Sequence, residues 1–203
     1  LPTSKKSMDH FQIINGELHA ERVALSRIAE EIGTPVYVYS RATLERHARV
    51  FNEALSALPK KHVAFAIKAN PNLAVLRVMQ REGFGADVVS GGELARALAA
   101  GMPGKDIVFS GVGKLEREMI QGLEAGIGQF NIESEEEGIE LAAVAAARGQ
   151  RAACALRVNP DVDARTHEKI STGKAENKFG VPIDRAAGIY ARLAALPGLE
   201  MRG

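Results

Sequence analysis

Residues 63–70 have the sequence VAFAIKAN, a short apolar run that ends in a lysine and an asparagine. A run this short and this continuously apolar is typical of a buried parallel strand rather than a half-exposed hairpin strand. Residues 72–81 repeat apolar side chains at helical spacing and predict a helix. The stretch therefore indicates one strand-then-helix unit, with Lys68 placed where the strand ends.

The same unit recurs to the end of the sequence. The predicted strands are 63–67, 86–89, 107–109, 129–132, 153–158 and 199–201. The predicted helices between them are 72–81, 92–100, 114–125, 134–148 and 183–196. This alternation is typical of parallel strands joined by right-handed helical crossovers. It favours an α/β fold, a (β/α)8 TIM-type barrel present in part as about five to six units. A doubly wound open sheet would give the same local pattern.

The residues before this pattern predict a short strand at 11–14, a helix at 25–32, a strand at 36–39 and a helix at 41–58. We interpret the chain as three parts. We expect residues 1–9 to be a disordered extension or an expression remnant, residues 10–35 to be an N-terminal segment, and residues 36–203 to be the partial barrel.

Composition sets limits on function. The 203 residues carry a formal net charge of +1, so no general attraction to nucleic acid or an anionic membrane is expected. No apolar run reaches the roughly 18–20 residues that a membrane span needs. The single cysteine, Cys154, excludes a disulfide within the chain and fits a reducing cytoplasm; we expect it to be a buried strand residue. The histidines lack the spacing of metal ligands, so no metal site is predicted.

Polar residues directly follow the predicted strands at regular intervals. They are Lys68, Ser90, Ser110, Glu133 and Asn159. In a β/α barrel these positions lie together at the carboxyl ends of the strands, where active sites are built. The sequence therefore predicts a functional rim.

Lys68 is the strongest candidate on this rim. At the end of a buried strand a lysine loses water, which favours the neutral amine that attacks an aldehyde. A lysine that reaches solvent, or one paired with Asp87 or Glu93, would have the same sequence pattern.

Five sequence blocks resemble one known family. The segment FAIKAN at 65–70 is similar to the cofactor-lysine motif of fold type III pyridoxal phosphate decarboxylases. The other blocks follow in the family's order: GTPVYVY at 33–39, GFGADVVSGGEL at 83–94, LRVNP at 156–160, and the segment 167–180. The last block resembles a loop specific to the diaminopimelate decarboxylase branch, of which the chain would be the N-terminal half. The resemblance also implies that residues 10–35 would pack with a β domain that is absent from this chain.

The resemblance implies roles for individual residues. Lys68 would carry pyridoxal 5'-phosphate as a Schiff base, Asp87 would lie close to it, and Arg157 would lie beneath the cofactor in a charge network. On the residues alone, Asp87 could instead cap a local turn, and Arg157 could form a structural salt bridge. The acidic run Glu133, Glu135, Glu136 and Glu137 predicts a solvated helix face.

The resemblance also implies a lid over the cofactor. Its candidate residues, which would shield the site and read a dicarboxylate substrate, are His167, Lys169, Ser171, Thr172 and Gly173. A solvated charged loop is the alternative, because long polar loops in barrels have either origin.

The activity implied is that of a cytoplasmic lyase, which decarboxylates meso-2,6-diaminopimelate to L-lysine and acts as a homodimer with shared sites. This chain alone is expected to be inactive, because the family's phosphate-binding and partner-subunit residues lie in a second half. Two alternatives stay open: a related ornithine, arginine or carboxynorspermidine decarboxylase, or a non-catalytic pyridoxal phosphate carrier or regulatory domain.

Overall fold

The N-terminal part of the molecule is a small antiparallel sheet followed by two helices. The structure, a computed structural model, describes residues 9–160 and 179–203. Its first elements are β1 (Phe11–Ile14), β2 (Glu17–Ala20), β3 (Val23–Ala24), α1 (Leu25–Ile32) and α2 (Arg41–Ala54). Strand β2 lies in the middle of the sheet and pairs with both neighbours. The sequence predicted β1 but missed β2, which contains residue types depleted in strands, and β3, which is only two residues long.

The strand predicted at 36–39 is wrong. These residues have no regular structure, and the side chains of Tyr37 and Tyr39 are 89% and 56% exposed. Their β-branched and aromatic composition fits a strand, but a strand also needs a neighbour to hydrogen-bond. No other described strand pairs with this segment. Helix α2 also ends earlier than predicted, at Ala54 rather than at residue 58.

The main body is a parallel sheet flanked by helices. The remaining strands are β4 (Ala64–Ala66), β5 (Gly85–Val88), β6 (Ile107–Phe109), β7 (Gln129–Ile132), β8 (Ala152–Leu156), β9 (Val158–Asn159), β10 (Val181–Pro182) and β11 (Leu199–Met201). The remaining α-helices are α3 (Leu73–Arg81), α4 (Gly91–Ala99), α5 (Glu116–Glu124), α6 (Glu135–Ala147) and α7 (Ile183–Ala194). Strands β9 and β10 form a separate parallel pair.

The order of the sheet decides between the two architectures that the sequence left open. Its six parallel strands run β4-β5-β6-β7-β8-β11, so each strand lies beside the next one in the chain. A doubly wound sheet would reverse direction at a switch point, whereas a β/α barrel does not. The partial barrel is confirmed.

The core lies between the sheet and its helices. In β6, Ile107 and Phe109 are fully buried against the helices, whereas Val108 on the opposite face is only half-buried. The rings of Phe109 and Phe130 stack with centroids 6.0 Å apart. One face of the sheet is therefore dry, and the other faces the open side of the partial barrel. Cys154 is buried in β8, as predicted.

Serine side chains cap the first turns of helices α4 and α6. The side chains of Ser90 and Ser134 accept hydrogen bonds from the backbone N–H groups of Glu93 and Glu137, at 3.3 and 3.2 Å. Such caps satisfy donors that have no partner within the helix. Among the described residues, no helix combines the length and the apolar composition required to cross a bilayer.

Candidate active site

A cavity of about 650 Å³ opens at the carboxyl ends of the parallel strands. Its polar lining comes from Lys68, Asp87, Ser110, Asn131 and Arg157. Each belongs to a different strand or to the residues directly after it, so the sequential order of the sheet brings them together. A volume of this size lies within the roughly 300–1,000 Å³ of small-molecule sites. The structure thus assembles all three cofactor-site residues predicted from the sequence.

Lys68 lies in a short 3-10 turn, Ile67–Ala69, directly after β4. The expected burial of its side chain is wrong, because Lys68 is exposed. The reason is its place on β4, an edge strand whose one neighbour among the described strands is β5. No described residue forms a hydrogen bond or ion pair with the amine, so neither Asp87 nor Glu93 is its partner. The Glu93 carboxylate accepts a hydrogen bond from the backbone N–H of Val89 instead. The amine is available for chemistry.

Asp87 lies inside β5 and does not cap a local turn. Its Oδ1 atom accepts a hydrogen bond of 2.5 Å from the Ser110 hydroxyl, which follows β6. Ser110 Oγ accepts in turn from Asn131 Nδ2 at 3.0 Å. Ser110, itself bonded by Asn131, therefore holds the Asp87 carboxylate in place.

Arg157 lines the cavity and also forms the salt bridge that the sequence left open as an alternative. Its Nη1 atom forms an ion pair of 2.8 Å with Glu133 Oε1. Strand β8 ends at Leu156, just before Arg157, and the Arg157 side chain is 45% exposed. Its guanidinium also lies 5.3 Å from the centroid of the Phe179 ring. A contact with a cofactor stays a prediction.

The acidic run after β7 is not a uniformly solvated face. Glu133 has a side chain only 4% exposed, and its Oε2 atom has no hydrogen-bond partner. Glu137 is paired with Lys114. Burial has the largest effect on the pKa of the Glu137 carboxyl group and raises it. Glu135 is half-buried and pairs with Arg192, whereas Glu136 is exposed. The solvated-face prediction is wrong for Glu133 and Glu137, because both turn towards basic residues.

The burial of Lys114 beside this cavity was not predicted from the sequence. Its side chain is 1% exposed. The ammonium group donates to Gly111 O at 2.8 Å, to Asn131 O at 2.7 Å and to Glu137 Oε1 at 2.7 Å. The sequence placed this lysine at a helix start, whereas α5 begins at Glu116. The turn GVGK was the available signal, since its glycines let the chain fold back over a buried side chain.

The other predicted rim residues have structural roles. Ser90 caps α4, and Asn159 belongs to β9. The proposed lid residues, His167, Lys169, Ser171, Thr172 and Gly173, lie outside the described residues.

The donor set of the cavity fits a pyridoxal cofactor. A primary amine without a described partner can bond to an aldehyde carbon, and an arginine that lines the same cavity can bind a phosphate or a carboxylate. The Asp87 carboxylate can attract a cationic nitrogen. The residues present therefore offer an attachment point and charges of both signs.

Comparisons with known proteins identify relatives of this chain. The chain is 57% identical over 197 residues to the diaminopimelate decarboxylase of Pseudomonas fluorescens, covering 97% of this chain and 47% of that protein. It is 55% identical over 196 residues to the enzyme of that name from Pseudomonas aeruginosa, with coverage of 97% and 47%. The crystal structure of diaminopimelate decarboxylase from M. jannaschii with L-lysine superposes with a TM-score of 0.85 at 36% identity, covering 95% of this chain and 46% of that one.

The chain thus spans about half the length of the curated relatives it matches. A family profile described as "Pyridoxal-dependent decarboxylase, pyridoxal binding domain" matches residues 41–203. This match covers both the parallel sheet and the cavity, and it confirms pyridoxal phosphate as the predicted cofactor. The chain therefore belongs to the family of pyridoxal binding domains of pyridoxal-dependent decarboxylases.

Proposed function

We propose that the full-length gene product that contains this chain decarboxylates meso-2,6-diaminopimelate to L-lysine and carbon dioxide, with its cofactor attached to Lys68. The observation that carries the reaction class is the Lys68 amine, which lines the cavity without a partner among the described residues. The substrate rests on the names and identities of the relatives, 57% and 55%.

Lys68, Asp87 and Arg157 have different roles in the proposed reaction. When bound, pyridoxal phosphate supplies a ring that accepts the electron pair left as carbon dioxide departs. Lys68 provides the attachment point and, once its amine is free, a group that can carry a proton at Nζ. Asp87 orients cationic nitrogens with its carboxylate. Arg157 adds a positive charge at the opposite wall, where Glu133 holds the guanidinium in place.

Three further proposals concern the whole protein. The segment 167–180 acts as a lid that reads the substrate, the protein is a homodimer with shared active sites, and it works in the cytoplasm. The polar sequence of the segment supports the first, and the single cysteine is consistent with the third. Light scattering of the full-length gene product tests the second, with a dimer mass as the expected result.

The central test uses the full-length gene product loaded with pyridoxal phosphate. Borohydride reduction followed by peptide mass mapping is expected to place the cofactor on Lys68. Carbon dioxide release is expected from meso-diaminopimelate and not from ornithine or arginine. Lys68→Met should abolish both signals. Lys105→Met is the matched control, because Lys105 is an exposed lysine just before β6, at the opposite end of the sheet.

Each outcome separates the candidate functions. Reduced cofactor on another lysine, or none at all, contradicts the attachment to Lys68. A Lys68 adduct without carbon dioxide release from any of the three amino acids supports a non-catalytic carrier. Release from ornithine or arginine instead of meso-diaminopimelate supports a related decarboxylase.

A further inference from the structure

A line of hydrogen bonds crosses three neighbouring strands and ends on Asp87. Gln129 Nε2 donates to Asn131 Oδ1 at 2.7 Å, and Asn131 Nδ2 donates to Ser110 Oγ at 3.0 Å. Ser110 Oγ then donates to Asp87 Oδ1 at 2.5 Å. Every donor in this line points towards Asp87, and its last three members line the cavity.

The direction of the line follows from the chemistry of its groups. A serine hydroxyl has one hydrogen to donate, and here that hydrogen is used by the Asp87 carboxylate. The amide of Asn131 supplies the donor that the Ser110 oxygen accepts, while its own oxygen accepts from Gln129. Bonds of this kind to an ionised acceptor are stronger than neutral ones. One oxygen of Asp87 is thereby fixed, and no described residue donates to the other.

The backbone that carries this line is held by Lys114. Its ammonium group bonds the carbonyl oxygens of Gly111, the neighbour of Ser110, and of Asn131 itself. Gly111 has a φ of +94°, and a Cβ atom there would lie 3.0 Å from Val89 O. The chain after β6 therefore turns tightly at a position that favours glycine, and the buried lysine ties it to the end of β7.

We propose that Ser110 and Asn131 are positioning residues, which aim the free oxygen of Asp87 into the cavity that Lys68 lines. This inference rests on the proposed function and assigns to it two residues that act through Asp87: Ser110 bonds the carboxylate directly, and Asn131 bonds Ser110. Removal of the Ser110 hydroxyl frees the carboxylate to rotate, because the hydroxyl is the one described donor to Asp87. The Asp87 oxygen then no longer has a defined position relative to Lys68.

The test compares two serines of the same rim in the full-length gene product. Ser110→Ala removes the hydroxyl that holds Asp87. Ser90→Ala removes a hydroxyl that caps α4 and lies outside the cavity lining. Ser110→Thr restores the hydroxyl, and Asn131→Asp removes the donor to Ser110 with little change in shape.

Four quantities are measured for each variant: the melting temperature, kcat and KM for meso-diaminopimelate, and the rate at which a borohydride-reducible adduct forms on Lys68. Ser110→Ala is expected to lower kcat by about 10- to 100-fold, the range produced by misplacement of a catalytic group. KM and the melting temperature should change little, adduct formation should slow, and Ser110→Thr should recover most of the loss. Asn131→Asp should resemble Ser110→Ala. Ser90→Ala should lower the melting temperature and leave kcat unchanged.

The inference is overturned if Ser110→Ala keeps the wild-type kcat and adduct rate, or if Ser90→Ala lowers kcat as much as Ser110→Ala does. Failure of the proposed function looks different. In that case the wild-type protein itself forms no adduct on Lys68 or releases no carbon dioxide from meso-diaminopimelate.

Discussion

Two lysines at the same end of the sheet have opposite environments. Lys68 follows β4, is exposed, and has no partner among the described residues. Lys114 lies between β6 and α5, is 1% exposed, and bonds two carbonyl oxygens and a carboxylate. The edge position of β4 explains the first environment, and the tight turn after β6 explains the second.

This difference separates burial from reactivity. A buried ammonium group must find acceptors for its hydrogens, because an unpaired charge away from water is very costly. Once Lys114 has found them, its ammonium hydrogens and its position are committed to the fold. Lys68 has no such partners among the described residues and is free to bond a ligand. The burial that the sequence predicted for Lys68 is therefore found at Lys114 instead.

The largest expected effect is that of Lys114→Met on stability. This change leaves the buried Glu137 carboxylate without its cation and leaves two carbonyl oxygens without a donor. Breaking a buried pair in this way costs about 3–5 kcal/mol. Denaturant unfolding of the full-length gene product, at one protein concentration, measures the loss.

The double variant Lys114→Met/Glu137→Leu is the control for that prediction. It removes both charges, so most of the stability should return. If the double variant is as unstable as Lys114→Met, the backbone contacts of Lys114 matter more than its ion pair. If Lys114→Met is as stable as the wild type, the contrast between the two lysines is wrong.

A smaller loss is expected for Arg157→Ala. The substitution leaves Glu133, whose side chain is 4% exposed, without its ion pair. Because Arg157 is 45% exposed, water can replace part of the interaction, and a cost of about 1–2 kcal/mol is expected. Arg27→Ala breaks a pair whose two side chains are 70% and 58% exposed, and it should leave the unfolding midpoint unchanged. Equal losses in the two variants would show that the burial of Glu133 is unimportant.

Much of this architecture could be predicted because it depends on local pattern. Strands β6, β7 and β11 were predicted with the bounds they have, and the run before Lys68 correctly indicated a strand that leads to the cavity. What failed depends on contacts between distant residues. The exposure of Lys68 is set by its place at the sheet edge, and the burial of Glu133 and Lys114 is set by partners 24 and 23 residues away. Spacing along the chain carries no direct signal for such pairs.

The pH dependence of stability tests the ion pair between Glu137 and Lys114. Burial raises the pKa of Glu137 above its ordinary 4.5, so the folded state binds more protons than the unfolded state just above that pH. The contribution of Glu137 to stability should therefore fall as pH rises from about 4.5 through the folded-state pKa. The stability of wild type minus that of Glu137→Gln should decrease over this interval. An increase with pH would mean that attraction to Lys114 outweighs the cost of burial.

The smallest expected effect on stability is that of Lys68→Met, and it completes the contrast with Lys114. The Lys68 side chain is exposed and makes no described ion pair or hydrogen bond, so its removal breaks no described contact. Such substitutions usually change stability by less than about 0.5 kcal/mol. The measurement is the denaturant midpoint of the apo protein, because a cofactor attached to Lys68, as proposed, would stabilise the wild type more than the variant. A loss comparable to that of Lys114→Met would show that Lys68 has a structural role, and the contrast between the exposed and the buried lysine would fail.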